Sequence, residues 1–252
     1  MHPQEVGATE WLANLSIGYV VMAAFVLTII RLALVPNRTP LARSIAELVE
    51  SLIIAGVLVF LVIRPFFLQA FFIPSESMEP TLLGHDRGYN PSTNQNYPDS
   101  VHDHIFVDKL SYRLRDPKRD EIIVFKAEKK ADKAAEMEHR EPVENVLIKR
   151  LIGLPGDKVE VRPGPDDKVH VYINDKQLVE PFIKEDMNNP QPTAAQYAVN
   201  GPLVLGPNEL FVMGDNRNNS NDGRFWGTLP RGRVIGRAML IFWPLNRIRL
   251  IR

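Results

Sequence analysis

Residues 158–173 read KVEVRPGPDDKVHVYI. Two runs rich in valine, each alternating with polar residues, flank a Pro-Gly-Pro-Asp-Asp break. That pattern predicts two short strands joined as a hairpin across Pro163 to Asp167. The same grammar recurs on both sides. HIFVDKLSYRL alternates in part, DEIIVFK is a compact β-branched run, and ELFVMGD and VIGRAMLIFWP are further strand candidates. Many short strands with turn signals between them, and 20 prolines against 15 glycines, predict a mainly β domain of barrel or sandwich type from about Pro74 to the C-terminus. Two stretches break the pattern. Glu128 to Asn145 is highly charged, and Asp186 to Asn208 is rich in Pro, Asn and Gln; both read as solvated surface. The closing NRIRLIR, with three arginines, reads as a surface strand end.

Upstream of Pro74 the chain is apolar. Ile17 to Val35 carries one charge, Arg31, near its end, and is long enough to cross a hydrocarbon core as a helix. The preceding HPQEVGATE has two Glu and no Lys or Arg, which is the wrong charge for a cleaved signal peptide. A second run, Leu52 to Ile63, is interrupted by Arg64-Pro65 and extended by FFLQAFFI. The expectation is one or two transmembrane helices, at about 17–35 and 50–72, within an anchor of residues 16–73. Arg31, Arg38 and Arg43 cluster at the loop between the runs, while the tail of residues 1–15 has no Lys or Arg. Positive-inside bias then puts the loop in the cytoplasm, and the tail and residues 74–252 outside.

Composition removes several functions. Thirty basic and thirty acidic residues balance, so no electrostatic argument favours nucleic acid. With no cysteine there is no disulfide, no thiolate nucleophile and no Cys-based zinc site. The six histidines lack a H-E-x-x-H pattern; His102-Asp103-His104 reads as a polar loop rather than a metal site. No cofactor and no metal are expected.

Three clusters carry possible chemistry. The first is IPSESMEPTL, Ile73 to Leu82. Pro74 and Pro80 restrict the backbone, and an extended segment would point Ser75 and Ser77 to one side. Ser77 then has the makings of a nucleophile, with its own N–H and the Ser75 hydroxyl as oxyanion donors; a plain turn is the blander alternative. The second is VLIKRLIGLPGD, Val146 to Asp157. Period two puts Leu147, Lys149 and Leu151 on one face and Ile148, Arg150 and Ile152 on the other. Desolvation on an apolar face would depress the Lys149 pKa, and about two units would bring the neutral amine within reach near pH 8. A lysine snorkelling to a strand edge is the alternative. The third is GDNRNNSNDGRFWG, Gly214 to Gly227, dense in turn formers and hydrogen-bonding groups. Asp222 and Arg224 are a candidate ion pair, and Ser220 could orient a neutral amine. A calcium loop is the rival, but the spacing does not fit an EF-hand, and Arg217 and Arg224 disfavour a cation.

Together these segments, in this order behind an apolar anchor, resemble the bacterial type I signal peptidases, Ser/Lys proteases that remove signal peptides from exported proteins. HIFVDKLSYRLRDPKRDEIIVFK and VYINDKQLVEPFIKE add to the likeness, which covers most of Phe71 to Trp243. The resemblance implies Ser77 as nucleophile, Lys149 as general base, and Ser75 as the side-chain half of the oxyanion hole. Ser220 would orient Lys149, Asp222 and Arg224 would hold Ser220, and Arg150 would flank the base. It implies a β-rich catalytic core with a smaller β-subdomain inserted at about 158–208. Substrate would add as a strand beside Ile73 to Ser75 and Leu147 to Lys149. Phe71, Ile73, Pro74, Met78, Leu147 and Ile148 would form the substrate wall. The last box departs from the pattern: NNSNDGR lacks a second Asp before Asn-Ser and has Gly223 where Ser is common.

The expected partners are signal peptides of exported preproteins and the lipid bilayer, with the enzyme a monomer in the bacterial inner membrane and its catalytic domain outside the cytoplasm. The rivals are a Ser/Lys protease with another substrate, such as a self-cleaving repressor, and a membrane-anchored β-domain that binds peptides without cutting. A metal-dependent hydrolase is a third and weaker alternative.

Overall fold

The computed structural model describes residues 17–37, 39–90, 95–127, 146–166, 168–187 and 202–251. The tail of residues 1–15, the charged 128–145 segment and 188–201 of the long polar loop lie outside the described residues. The chain divides into two compact units, Met1–Phe71 and Phe72–Arg252.

In the first unit, helix α1 (Ile17–Leu34) and helix α2 (Pro40–Val57) pack as a pair. Thr39 caps α2 by accepting a hydrogen bond from the Ala42 N–H, and Pro40 occupies the first turn, where a missing N–H does no harm. Ala42, Ala46 and Val49 recur at helical spacing and are buried, so small residues let the helices approach. Arg31 and Glu50 pair across them at 2.7 Å. A π-helical turn, Leu58–Ile63, continues α2. Pro40–Ile63 is long and apolar enough to cross a membrane; Gly18–Leu34 is apolar but shorter. The expected second helix at about 50–72 is corrected at both ends. It begins at Pro40, and Leu68–Phe72 is a strand, β1. Aromatic residues around Gln69 satisfy a strand as readily as a helix, and hydropathy alone does not separate them.

The second unit is β-rich. Two short ribbons come first: β2 (Gly84–His85) pairs with β5 (Val101–His102), and β3 (Gly88–Asn90) pairs with β4 (Gln95–Tyr97). The main antiparallel sheet is built from β6 (His104–Asp108), β7 (Ile122–Lys126), β8 (Val146–Gly153), β13 (Glu209–Met213), β14 (Leu229–Pro230) and β15 (Val234–Trp243), with β16 (Arg249–Leu250) on β15. Their order is β6-β15-β7-β8-β13-β14. The 158–173 hairpin forms as read. β9 (Lys158–Pro163) and β10 (Val169–Ile173) pair in the register Val161↔Val171 and Val159↔Ile173. With β11 (Lys176–Gln177) and β12 (Leu203–Val204) they make a separate four-stranded sheet.

Strand β8 is central because it is buried on both faces. Leu151 packs with Ile123, Phe125, Leu210, Val212 and Leu229. Ile152 packs with Phe211, Met213 and the valines of the β9–β10 hairpin. Lys149 and Arg150, adjacent on this strand, are therefore held inside the protein, at 4% and 2% exposure.

Candidate active site

The Ile73–Leu82 segment, expected to hold the nucleophile and to be extended or turned, is extended at Ser75 and then makes one turn of 3₁₀ helix, Glu76–Met78. One turn fits between Pro74 and Pro80 because Glu79 N–H closes it onto Glu76 C=O at 3.0 Å. The two hydroxyls still meet: Ser75 Oγ lies 3.2 Å from Ser77 Oγ. Ser77 sits in the first turn of that helix, so its N–H has no intrahelical acceptor to satisfy it. Ser75 is exposed and Ser77 buried.

Lys149 Nζ lies 2.7 Å from Ser77 Oγ, joining residues 72 apart in sequence. Burial lowers the Lys149 pKa from 10.5 to about 8; the carboxylates of Asp222 and Asp215 act against the shift and the Arg224 guanidinium adds to it. Among the described residues the lysine makes no ion pair, so its proton is held weakly beside a serine hydroxyl.

Arg150 braces the same region. It forks onto Asp215, Nε to Oδ1 at 2.7 Å and Nη2 to Oδ2 at 2.6 Å. It also donates to Asp120 C=O at 2.7 Å and to the Thr81 hydroxyl at 3.2 Å, and stacks on Phe182 at 4.0 Å. Thr81 in turn donates to Asp215 at 2.5 Å. The Lys strand, the Ser segment and the Gly214–Gly227 loop thus meet at one buried fork. Asn216 ties the loop to the nucleophile turn directly, its N–H donating to Ser77 C=O at 3.2 Å and its amide to Glu76 C=O at 3.3 Å. Gly214 fills the remaining gap: a Cβ there would run into Ser77 C=O and Ser220 Oγ.

Asp222 and Arg224 pair as expected, Nε to Oδ1 at 2.8 Å and Nη2 to Oδ2 at 2.9 Å. Burial works against the Asp222 charge, yet Arg224 and the Gly214 N–H, 2.9 Å away, hold its carboxyl below the usual range. The Ser220 hydroxyl is buried and in strict geometry bonds to no described group, but it lies close enough to Asp222 to help hold that carboxyl low. Gly223 supplies close packing rather than local freedom, since a Cβ would lie 2.8 Å from Val212 C=O and 3.0 Å from the Phe211 ring.

The residues expected to wall the substrate are only partly exposed. Phe71, Leu147 and Ile148 are half-buried and Pro74 is exposed. Met78 is fully buried and Ile73 is 2% exposed, so both support the segment from within and present little surface. One edge of the 73–75 segment is already taken. Ile73 N–H donates to Asp103 C=O and its carbonyl faces His102 Nδ1, each at 2.9 Å. His102 also reaches Asp86, and Asp103 is forked by Arg247 at 2.7 and 2.9 Å. These contacts occupy His102 and Asp103 of the polar loop.

Sequence reading missed a second buried cluster on the other flank of the nucleophile turn. Glu79 meets His85 Nδ1 at 2.5 Å and Lys184 Nζ at 2.8 Å, and His85 stacks on Tyr97 at 4.0 Å. Burial opposes the Glu79 charge, but Lys184 and His85 hold its carboxyl below the usual value. A glutamate next to proline carries no signal of this, because Tyr97 and Lys184 reach it from distant parts of the chain. Asp215, Thr81 and Asn216 were missed for the same reason.

Comparison with known proteins identifies the family. The family model described as signal peptidase, peptidase S26, matches residues 45–243. The chain is 37% identical over 215 residues to a probable signal peptidase I-2 of Synechocystis sp., a match covering 85% of this chain and 81% of the relative. It is 36% identical to the signal peptidase I of Leptolyngbya laminosa, covering 83% of each. It is 31% identical to the signal peptidase I P of Bacillus subtilis subsp. natto, covering 82% of this chain and 93% of that one. A serine and a buried lysine in contact, in a β-rich domain behind an apolar helix, belong to a chain that is a member of the signal peptidase family, peptidase S26.

Proposed function

We propose that the protein is a membrane-bound serine endopeptidase that cleaves signal peptides from exported preproteins, with Ser77 as nucleophile and Lys149 as general base. The observation that carries this reading is the 2.7 Å contact between Ser77 Oγ and a buried lysine whose pKa is lowered to about 8. In the first step Lys149, as the neutral amine, takes the Ser77 proton while Oγ bonds to the scissile carbonyl carbon. The oxyanion that forms is received by the Ser77 N–H and the Ser75 hydroxyl. The Lys149 ammonium then protonates the leaving nitrogen, the C–N bond breaks, and the signal peptide remains as an ester on Ser77. Lys149 next deprotonates a water, which attacks the ester, and Ser77 regains its proton as the acid leaves.

Arg150, Asp215, Asn216 and Gly214 position the dyad; Asp222 and Arg224 fix the loop on which Ser220 sits. Substrate lies as an added strand between the 73–75 and 147–149 segments. Alternate residues of a strand face opposite edges. With the Ile73 edge occupied, the Pro74 carbonyl is the group of the Ser segment left to receive it. Leu147 and Ile148 contribute its walls. Pro40–Ile63 anchors the chain. Arg31, Arg38 and Arg43 near the loop between the helices support, by positive-inside bias, a cytoplasmic loop and a catalytic domain that works outside the cytoplasm at the bacterial inner membrane.

The test is cleavage of a preprotein whose signal ends in Ala-x-Ala by the detergent-purified chain, beside Ser77→Ala and Lys149→Ala. Cleavage at that junction by the wild type alone is expected. Cleavage surviving in Ser77→Ala would place the nucleophile elsewhere. An intact preprotein with folded wild type would favour a peptide-binding domain.

A further inference from the structure

After β11 the chain leaves the four-stranded sheet and runs along the Gly214–Gly227 loop. Residues 180–187 form no helix or strand beyond a single bridge from Met187 to Val169, yet they meet the charged pairs that brace the dyad. Glu180 pairs with the buried Arg217 at 2.5 Å, and the Phe182 ring lies 4.0 Å from the Arg150 guanidinium. The Lys184 N–H donates to Asp215 C=O at 3.1 Å, and Arg224 reaches Met187 Sδ at 3.4 Å. Joining β11 to β12 requires none of these contacts.

Lys184 does more than its neighbours. Its backbone holds the Gly214–Gly227 loop, and its side chain crosses to the nucleophile turn. Nζ donates to Glu79 Oε2 at 2.8 Å, to Gln95 Oε1 at 2.7 Å and to the Tyr97 hydroxyl at 3.1 Å. Glu79 is the residue whose N–H closes the turn carrying Ser77, and its side chain is only 3% exposed. A buried carboxylate bonded to an ammonium is a stiff attachment point. The turn is thus pinned on both sides of the nucleophile: Asn216 holds the Glu76 and Ser77 carbonyls, and Lys184 holds Glu79 two residues beyond. Among the described residues neither Lys184 nor Glu79 hydrogen-bonds to Lys149, whose pKa is set by burial and by Asp222, Asp215 and Arg224. Resting on Ser77 as the nucleophile, we infer that Lys184 is a positioning residue for catalysis, which acts through Glu79 to hold the Ser77 turn against the base.

The experiment uses the full-length chain in detergent and a preprotein whose signal ends in Ala-x-Ala, with Lys184→Met, Glu79→Gln and the double variant. Urea unfolding of each fixes conditions in which it is folded. Lys184→Met keeps the backbone bond to Asp215 and should lower kcat by about ten- to a hundredfold, the scale of a small misplacement at a reacting centre. KM should stay near the wild-type value, and the alkaline midpoint should stay at about 8 because the groups that set it are untouched. Glu79→Gln should lose a similar factor. The double variant should lose no more than the worse single, as two residues acting as one unit do. It leaves no stranded buried carboxylate, so it carries the test if Lys184→Met does not fold. A folded double variant with the wild-type kcat would overturn the inference. So would losses that multiply, a raised KM at unchanged kcat, or a shifted midpoint. Failure of the underlying reading is seen separately, as a preprotein that wild type leaves uncut or that Ser77→Ala still cuts.

Discussion

Because the Lys149 pKa is lowered to about 8, kcat/KM should rise through the physiological range and level off only above it. The active form is the neutral amine. With a midpoint near 8, roughly one molecule in a hundred carries it at pH 6, about one in ten at pH 7 and half at pH 8. Log kcat/KM should therefore climb with unit slope from pH 6 to about 7.5, and the gain from pH 6 to pH 8 should be roughly fiftyfold. The cause is burial: taking the ammonium out of water outweighs the attraction of Asp222 and Asp215. The shift corresponds to about 3 kcal/mol between the two protonation states. The same shift makes a stability prediction of defined sign. Below pH 8 the lysine is protonated in folded and unfolded chains, and the whole burial penalty is present. Between about 8 and 10.5 the folded chain loses its proton first, so the penalty fades as pH rises. Lys149→Met should thus be more stable than wild type at pH 7 and lose that advantage above pH 10. The assay is an internally quenched signal-junction peptide followed from pH 5.5 to 9.5. NMR titration of side-chain-labelled Lys149 in Ser77→Ala checks the assignment. A rate independent of pH from 6 to 8, or a lysine titrating at its ordinary value in the Ser77→Ala protein, would refute the reasoning.

Three further outcomes follow from neighbouring contacts. Asp222→Asn removes the largest force holding a proton on Lys149 and leaves Arg224 unopposed beside it, so the alkaline limb should move to lower pH even as activity falls; pH-rate profiles of the two proteins check it. Gly214→Ala places a methyl against Ser77 C=O and Ser220 Oγ, and should lower kcat by at least about a hundredfold, the scale of small misplacements at a reacting centre, with KM little changed. Asp215→Asn strands the buried Arg150 charge and should destabilise the second unit by about 3–5 kcal/mol in urea unfolding, whereas Arg150→Leu with Asp215→Leu should recover part of that loss.

How far the sequence discloses this site depends on whether the information is local. The depressed lysine was legible because the flanking residues of β8 are apolar on both faces, and burial follows from that pattern alone. The Asp222–Arg224 pair was legible because the two residues lie on one turn. The fork at Asp215 was not. It depends on β13 pairing with β8 so that Met213 faces Arg150, which carries Asp215, two residues on, to the guanidinium. A polar run such as GDNRNNSND looks like a solvated loop until that register is known. The helix at Pro40 had a local signal, Thr-Pro followed by small residues at helical spacing, but hydropathy reads amphipathic turns as polar and starts the span late.

The same register bears on catalysis. Ser77 and Lys149 belong to different segments, and nothing links them covalently or by charge. Their 2.7 Å contact is held by the ends of the structure around them: Asn216 on the Ser77 carbonyl, Arg150 one residue from the base, and Thr81 four residues from the nucleophile, all converging on Gly214–Arg217. A lysine can serve as a base only if it is kept from every carboxylate that would hold its proton. Here Arg224 satisfies Asp222 and Arg150 satisfies Asp215, so the two acids nearest the base are already paired. The buried arginines are thus part of how the lysine stays neutral, and losing either should be felt first in the pH at which the enzyme works.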